Sequence, residues 1–261
     1  MNRQLTRITA ALTGVAIAAT IAMPALATSG AAPSAAAASP AAADTGIARC
    51  AAAWAAARNN RTVGTMKAVG SCEVDRRLDA IDRLGDVVDN AGTLTDPHAA
   101  TLNTILDGSA SGLTALRAEI DGDTTLAEVT ADVRRVFTDY RVYVLVSRQV
   151  VLVVADDRAD AAVDRLTQAG EQLDAAIAQA EANGHHVSDA QAHRDAMAVA
   201  ITAARNDVAG DAAAMVSQTP GTWSAGTAKP VLDAGRASIS AARSHLRTAL
   251  REARATVAAL R

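Results

Sequence analysis

Aromatic side chains are nearly missing from this chain, which holds one Phe, two Tyr and two Trp in 261 residues. Sandwiches and barrels spread Tyr, Phe, Trp and Thr along their strands, so the scarcity argues against the sheet classes and leaves a core of small aliphatic groups. Lysine occurs only at Lys67 and Lys229 against 23 arginines. Together with abundant alanine, that skew reads as the mark of a GC-rich genome. The 25 basic residues stand against 28 acidic ones, a formal charge of −3. That balance excludes a chain whose work is global electrostatic attraction to nucleic acid. Only Cys50 and Cys72 are present, too few ligands for a structural zinc site. Catalytic signatures are missing too. There is no G-x-S-x-G, H-E-x-x-H, P-loop or dinucleotide fingerprint, and the acidic residues spread along the chain instead of converging in a pair. No enzyme and no cofactor is expected.

What is present in quantity is alanine, about a quarter of the chain. Alanine is the best helix former, and with Leu and Val it lets helices pack closely. The expected class is all-α, an elongated antiparallel bundle of six or seven helices. The density of Leu, Val and Ile after residue 60 excludes disorder throughout.

The first 27 residues read as a signal peptide. Arg3 and Arg7 form a positive start, Ile8 to Met23 is apolar, and Pro24-Ala25-Leu26-Ala27 ends in the small-x-small pattern of a cleavage site. Cleavage is expected after Ala27, leaving no transmembrane anchor, because no later segment reaches about 18 uncharged apolar residues. Residues 28–44, almost wholly Ala, Pro and Ser, have no apolar face to bury and are expected to form a disordered tether. The bundle domain is expected over 45–261, in a secreted or envelope-associated protein.

Within that domain the helix signals are local. A first helix over 45–58 meets a turn at Asn59-Asn60, and a second runs over 62–90. Thr95-Asp96-Pro97 opens a third with Pro in the first turn, and Thr125 with Glu128 forms a capping box opening a fourth. Residues 140–154 could be two strands around Ser147-Arg148-Gln149, or two helices meeting there. The helical alternative is favoured, since an isolated hairpin is only marginally stable. Three long helices follow, over 150–182, 188–216 and 229–260. In the last, Leu232, Ile239, Leu246, Ala253 and Leu260 repeat every seven residues, the coiled-coil period.

Four groups of residues could carry function. On one continuous helix Cys50 and Cys72 would lie about 33 Å apart. Both are equidistant from Arg61, just past the Asn59-Asn60 turn, so a helical hairpin brings them opposite each other and a structural disulfide is expected. In the last helix Arg236, Arg243, Arg247, Arg251, Arg254 and Arg261 fall within about 80° of one another, a basic stripe. Asp157, Asp160, Asp164, Glu171, Asp174 and Glu181 gather on one side of the helix over 150–182. Either the arginine stripe contacts an anionic surface such as phospholipid or a wall polymer, or both stripes flank the apolar seam, solvate the bundle and pair loosely across helices. His185, His186 and His193 surround a helix start with Asp189, but four ligands at a family spacing are absent and no metal is expected. Phe137, Tyr140 and Tyr143 are expected to be the best-packed core patch.

The segments Cys72-Glu-Val-Asp-Arg-Arg-Leu-Asp-Ala-Ile-Asp-Arg-Leu84, Leu113-Thr-Ala-Leu-Arg-Ala-Glu-Ile120, Asp139-Tyr-Arg-Val-Tyr-Val-Leu-Val146 and Thr227-Ala-Lys-Pro-Val-Leu-Asp-Ala-Gly-Arg236 resemble segments of a group of exported actinobacterial proteins, from about Cys50 onward. The resemblance implies an exported helical protein and carries no activity or site residues with it. The expected role is non-enzymatic surface contact in or near the cell envelope, with an envelope polymer or protein as partner. The alternative is a lipid or amphiphile carrier formed by amphipathic helices.

Overall fold

A computed structural model describes residues 40–261, with side chains from Cys50 onward. The expected signal peptide, its cleavage site and residues 28–39 of the expected tether lie outside the described residues. The chain is all-α. Among the described residues there are seven helices of 13 residues or more and two short ones, and no strand. They are α1 (Pro40–Asn59), α2 (Val63–Asp89), α3 (Asp96–Gly122), α4 (Leu126–Thr138), α5 (Ser147–Ala182), α6 (Ser188–Val208), α7 (Asp211–Val216), α8 (Pro220–Ser224) and α9 (Ala228–Ala259). α1 starts within the segment assigned to the tether, five residues ahead of the expected start of the folded part.

Threonines set the helix starts. Thr62 opens α2 by accepting from the Thr65 amide while the Thr65 hydroxyl accepts from the Thr62 amide. Thr125 and Glu128 do the same for α4, and Thr219 and Thr222 for α8. Each box satisfies two amides that a helix start leaves without partners. α1 and α2 form an antiparallel pair around the Asn59-Asn60 turn, joined by the expected disulfide between Cys50 and Cys72 (S–S 2.05 Å).

The apolar run 140–154 holds the largest departure from expectation. The chain reverses at Asp139 to Arg141, not at 147–149, and Arg141 takes left-handed backbone angles (φ 44°, ψ 37°). From there a π-turn, Val142–Val146, runs directly into α5. The strand-like alternation is misleading because burial follows a helical period. Val142, Leu145, Val146, Gln149, Val150, Val153 and Val154 are buried while Tyr143, Val144 and Val151 face solvent. The helix expected over 188–216 is likewise broken, at Ala209-Gly210, where Gly210 has φ 82°. A left-handed residue of this kind costs glycine little and ends a helix, so α7 starts as a separate element.

α5 spans about 54 Å at 1.5 Å per residue and serves two packed regions. Its first half lies in a core with α2, α3, α4, α7 and the start of α9, around Val69, Val74, Leu102, Leu113, Leu116 and Ile120. Among the described residues its second half packs with α6 and α9, and α6 runs antiparallel to both, since Arg194 meets Asp174 and Arg205 meets Asp164, while His193 meets Glu252 and His245 meets Asp207. In this second region many buried residues are small, Ala190, Ala200 and Ala204 on α6 and Ala242, Ala249 and Ala253 on α9, beside the larger Met197, Ile201 and Val208 of α6. Of the heptad positions in α9, Leu232, Ile239 and Ala253 are buried, while Leu246 and Leu260 are half-buried. Buried Gln149 donates to the carbonyls of Met215 and Gln218, both at 2.9 Å, and so ties the α7–α8 link to α5. No described helix is long and apolar enough to cross a membrane.

Candidate functional site

The sequence-derived candidates separate once they are placed in the fold. The acidic side of α5 does not meet the basic side of α9. Instead α6 supplies its partners, with Arg194 bonding Asp174 at 2.8 Å and Arg205 lying 3.7 Å from Asp164. Asp157, placed by sequence on the same solvated stripe, is buried. It accepts the Thr95 amide at 2.7 Å and bonds His98 Nδ1 at 2.8 Å, at the start of α3.

The arginine face of α9 is left exposed. Beyond Asp233 this helix and the residues after it carry six arginines against one carboxylate, Glu252. Arg236, Arg243, Arg247 and Arg254 are exposed, and among the described residues none has a carboxylate within 4.0 Å. Arg251 meets Glu252 at 3.1 Å, and Glu252 also receives His193 at 2.9 Å, so that carboxyl is held below its usual range, first by the His193 hydrogen bond. Several arginines elsewhere find partners. Arg117 pairs with Asp75, Arg148 with Asp233, and Arg135 with Glu119, Asp132 and Asp139 together. A row of guanidinium groups from Arg243 to Arg254 spans about 17 Å and presents forked donors suited to phosphate or carboxylate oxygens.

The aromatic patch is not the packed centre the sequence suggested. Tyr143 is 40 % exposed, and the largest fully buried side chains are Leu, Ile, Met and Gln. Phe137 and Tyr143 instead cover a charged pair buried in α2. Arg77 stacks over Phe137 (4.4 Å to the ring centre) and also faces Tyr143. It donates to the Glu73 carboxylate at 2.6 Å. Glu73 also accepts from Arg76 at 2.7 Å and from the Trp54 indole at 2.9 Å. Burial alone would push the Glu73 carboxyl up, but the Trp54 and Arg77 hydrogen bonds and the two guanidinium charges outweigh it and hold the group below its usual range. Spacing alone does not reveal this cluster, since a carboxylate and two arginines three and four residues apart occur on any charged helix face. Tyr140 lies against α3 at Gly112, where a Cβ would come within 2.6 Å of its hydroxyl. Only glycine admits the ring there.

A second buried polar cluster lies where α5 meets the starts of α3 and α7. Asp156 is 4 % exposed, and its Oδ1 has no hydrogen-bond partner among the described residues. Burial, then the neighbouring charges of Asp211, Asp157 and Asp160, push its pKa up to about 7, with His98 opposing. The expected histidine group has other partners: His186 bonds Ser188 and His193 bonds Glu252. Among the described residues no three His, Cys, Asp or Glu side chains are arranged to hold a metal ion. No protein-family model, curated protein or solved structure matches this chain.

Proposed function

We propose that this is a non-enzymatic, exported helical protein that acts at the cell envelope by laying the arginine face of α9 on an anionic surface. The observation that supports the reading most is the charge segregation of α9. Arg236, Arg243, Arg247 and Arg254 stay exposed and without a carboxylate partner among the described residues, in a chain that is net negative. Export is supported by the leader-like sequence of residues 1–27 and by a disulfide of the kind that persists in oxidising compartments.

Magnitudes set the character of the contact. An arginine near an anionic surface contributes about 1 kcal/mol, so four give about 4 kcal/mol, a weak and salt-sensitive association. Such a face recruits reversibly and gains by avidity where many anionic groups are presented together. Cosedimentation with phosphatidylglycerol vesicles and with purified anionic wall polymer is the direct test. Binding should fall with added salt and be lost when Arg243, Arg247, Arg251 and Arg254 are replaced by Gln, with the helical circular dichroism unchanged. Equal sedimentation of that variant and the parent would overturn the reading.

A further inference from the structure

The α1–α2 hairpin and α4 do not close completely against each other near the Asn59-Asn60 turn. Between them lies a cleft of about 700 Å³, within the several-hundred-Å³ range of sites that enclose small organic ligands. Its walls are apolar where they are deep. Trp54 comes from α1, Met66 from α2, and Val133 and Phe137 from α4, with Met66 and Val133 buried. Its rim is cationic. Arg58, Arg61 and Arg134 are all exposed, none has a carboxylate within 4.0 Å among the described residues, and no acidic residue lines the cleft. Arg61 reaches across it to the Thr130 hydroxyl at 3.2 Å.

The walls are held in place independently of any occupant. The Cys50–Cys72 disulfide fixes α1 against α2. Trp54 is oriented by its 2.9 Å hydrogen bond to Glu73, and its ring lies 6.4 Å from that of Phe137, which in turn lies under the Arg77 guanidinium. The site is therefore preorganised, which lowers the entropic cost of binding. Apolar walls with three unneutralised guanidinium groups at the mouth match one ligand chemistry, an apolar body that ends in an anionic head.

We propose that this cleft binds a single-chain anionic amphiphile, its alkyl body along Trp54, Met66, Val133 and Phe137 and its carboxylate or phosphate head among Arg58, Arg61 and Arg134. The site does not depend on the arginine face of α9, and each can fail without the other. Occupancy would displace water from the apolar walls and give the guanidinium groups an anionic partner.

The probes are laurate, dodecyl phosphate and dodecyltrimethylammonium, each titrated below its micelle concentration into the full-length chain carrying Trp223→Phe, which leaves Trp54 as the sole indole. Saturable, one-to-one change in Trp54 emission is expected with the two anionic probes and none with the cationic one. The two anions also separate the head groups, the tighter one naming the native chemistry. The triple change Arg58→Gln, Arg61→Gln, Arg134→Gln should weaken binding about tenfold or more while cosedimentation with anionic vesicles persists. Replacing the four α9 arginines should do the reverse. The proposal is overturned by an unsaturable response, by equal binding of the cationic probe, by unchanged affinity in the triple variant, or by Trp54 emission that depends on protein concentration without ligand. That last result would put a second copy of the chain in the cleft.

Discussion

Two buried polar clusters in this chain meet the same physical problem in opposite ways. Around Glu73 opposite charges meet, two guanidinium groups sharing one carboxylate. The carboxylate receives Trp54, Arg76 and Arg77, and Arg77 is also sandwiched by aromatic faces. Around Asp156 the neighbours are Asp157, Asp160 and Asp211, and the hydrogen-bond donors at the start of α3 are taken by Asp157. The first cluster stays charged because attraction and hydrogen bonds exceed the desolvation cost. The second avoids that cost by keeping a proton, as a carboxyl pushed up to about 7 does through most of the acidic range. A charge on a buried helix face therefore says little until its neighbours from other helices are known.

Removing one member of the complementary cluster should have the largest effect. Arg77→Met leaves Glu73 buried with one guanidinium fewer and should cost about 3–5 kcal/mol, lowering the thermal midpoint by roughly 10 °C. The double change Glu73→Gln, Arg77→Met keeps an acceptor for Trp54 and should recover most of that loss. If both variants melted together well below the parent, packing and not charge complementarity would be what the pair supplies.

The like-charged cluster should respond in the opposite direction, and only above a certain pH. Asp156 has a folded pKa near 7 against about 3.9 in the unfolded chain. Below about 4 both states are protonated and no penalty exists. Between about 4 and 7 the folded state binds the extra proton, so stability falls as pH rises, and above 7 the full penalty applies. Asp156→Asn should therefore stabilise by roughly 4 kcal/mol at pH 8 and by almost nothing at pH 4. Urea melts of both proteins at the two pH values measure this, and a pH-independent difference would contradict it.

Exposure supplies the third term of the comparison. Arg135 contacts Glu119, Asp132 and Asp139, more carboxylates than Arg77 does, but it is 41 % exposed. Arg135→Gln should cost under about 1 kcal/mol, because water screens the network. A loss above about 2 kcal/mol would mean that the number of partners, and not burial, sets the worth of these pairs.

Much of the fold can be read from local signals, because caps and turns are chemistry within four residues. Thr95, Thr125 with Glu128, and the Asn59-Asn60 turn place three helix boundaries. The turn also brings Cys50 to Cys72, 22 residues apart in sequence. The reversal at Arg141 is not legible, since nothing about an arginine announces left-handed backbone angles and the run after it is apolar on both sides of a turn. Ala209-Gly210 is hidden for a related reason: in an alanine-rich helix a single glycine looks tolerable. The arginine face of α9 is legible because it depends on one helix. The cleft is not, because Trp54, Met66, Arg61 and Phe137 meet only after α1, α2 and α4 have packed.

The alanine seam between α6 and α9 has a thermodynamic consequence. Alanine gives up no rotamer freedom when it is buried, so ordering it costs little entropy, but its single methyl also removes little apolar area from water. The heat-capacity change of unfolding scales with that area, at about 12–15 cal/mol/K per residue in ordinary domains. With Ala190, Ala200, Ala204, Ala242, Ala249 and Ala253 in place of larger groups, the half of α5 that packs on α6 and α9 should contribute less per residue than the half that packs on α3. A smaller heat-capacity increment flattens the dependence of stability on temperature. This end of the bundle should therefore hold a modest stability across a wide thermal range, in place of a high maximum within a narrow one.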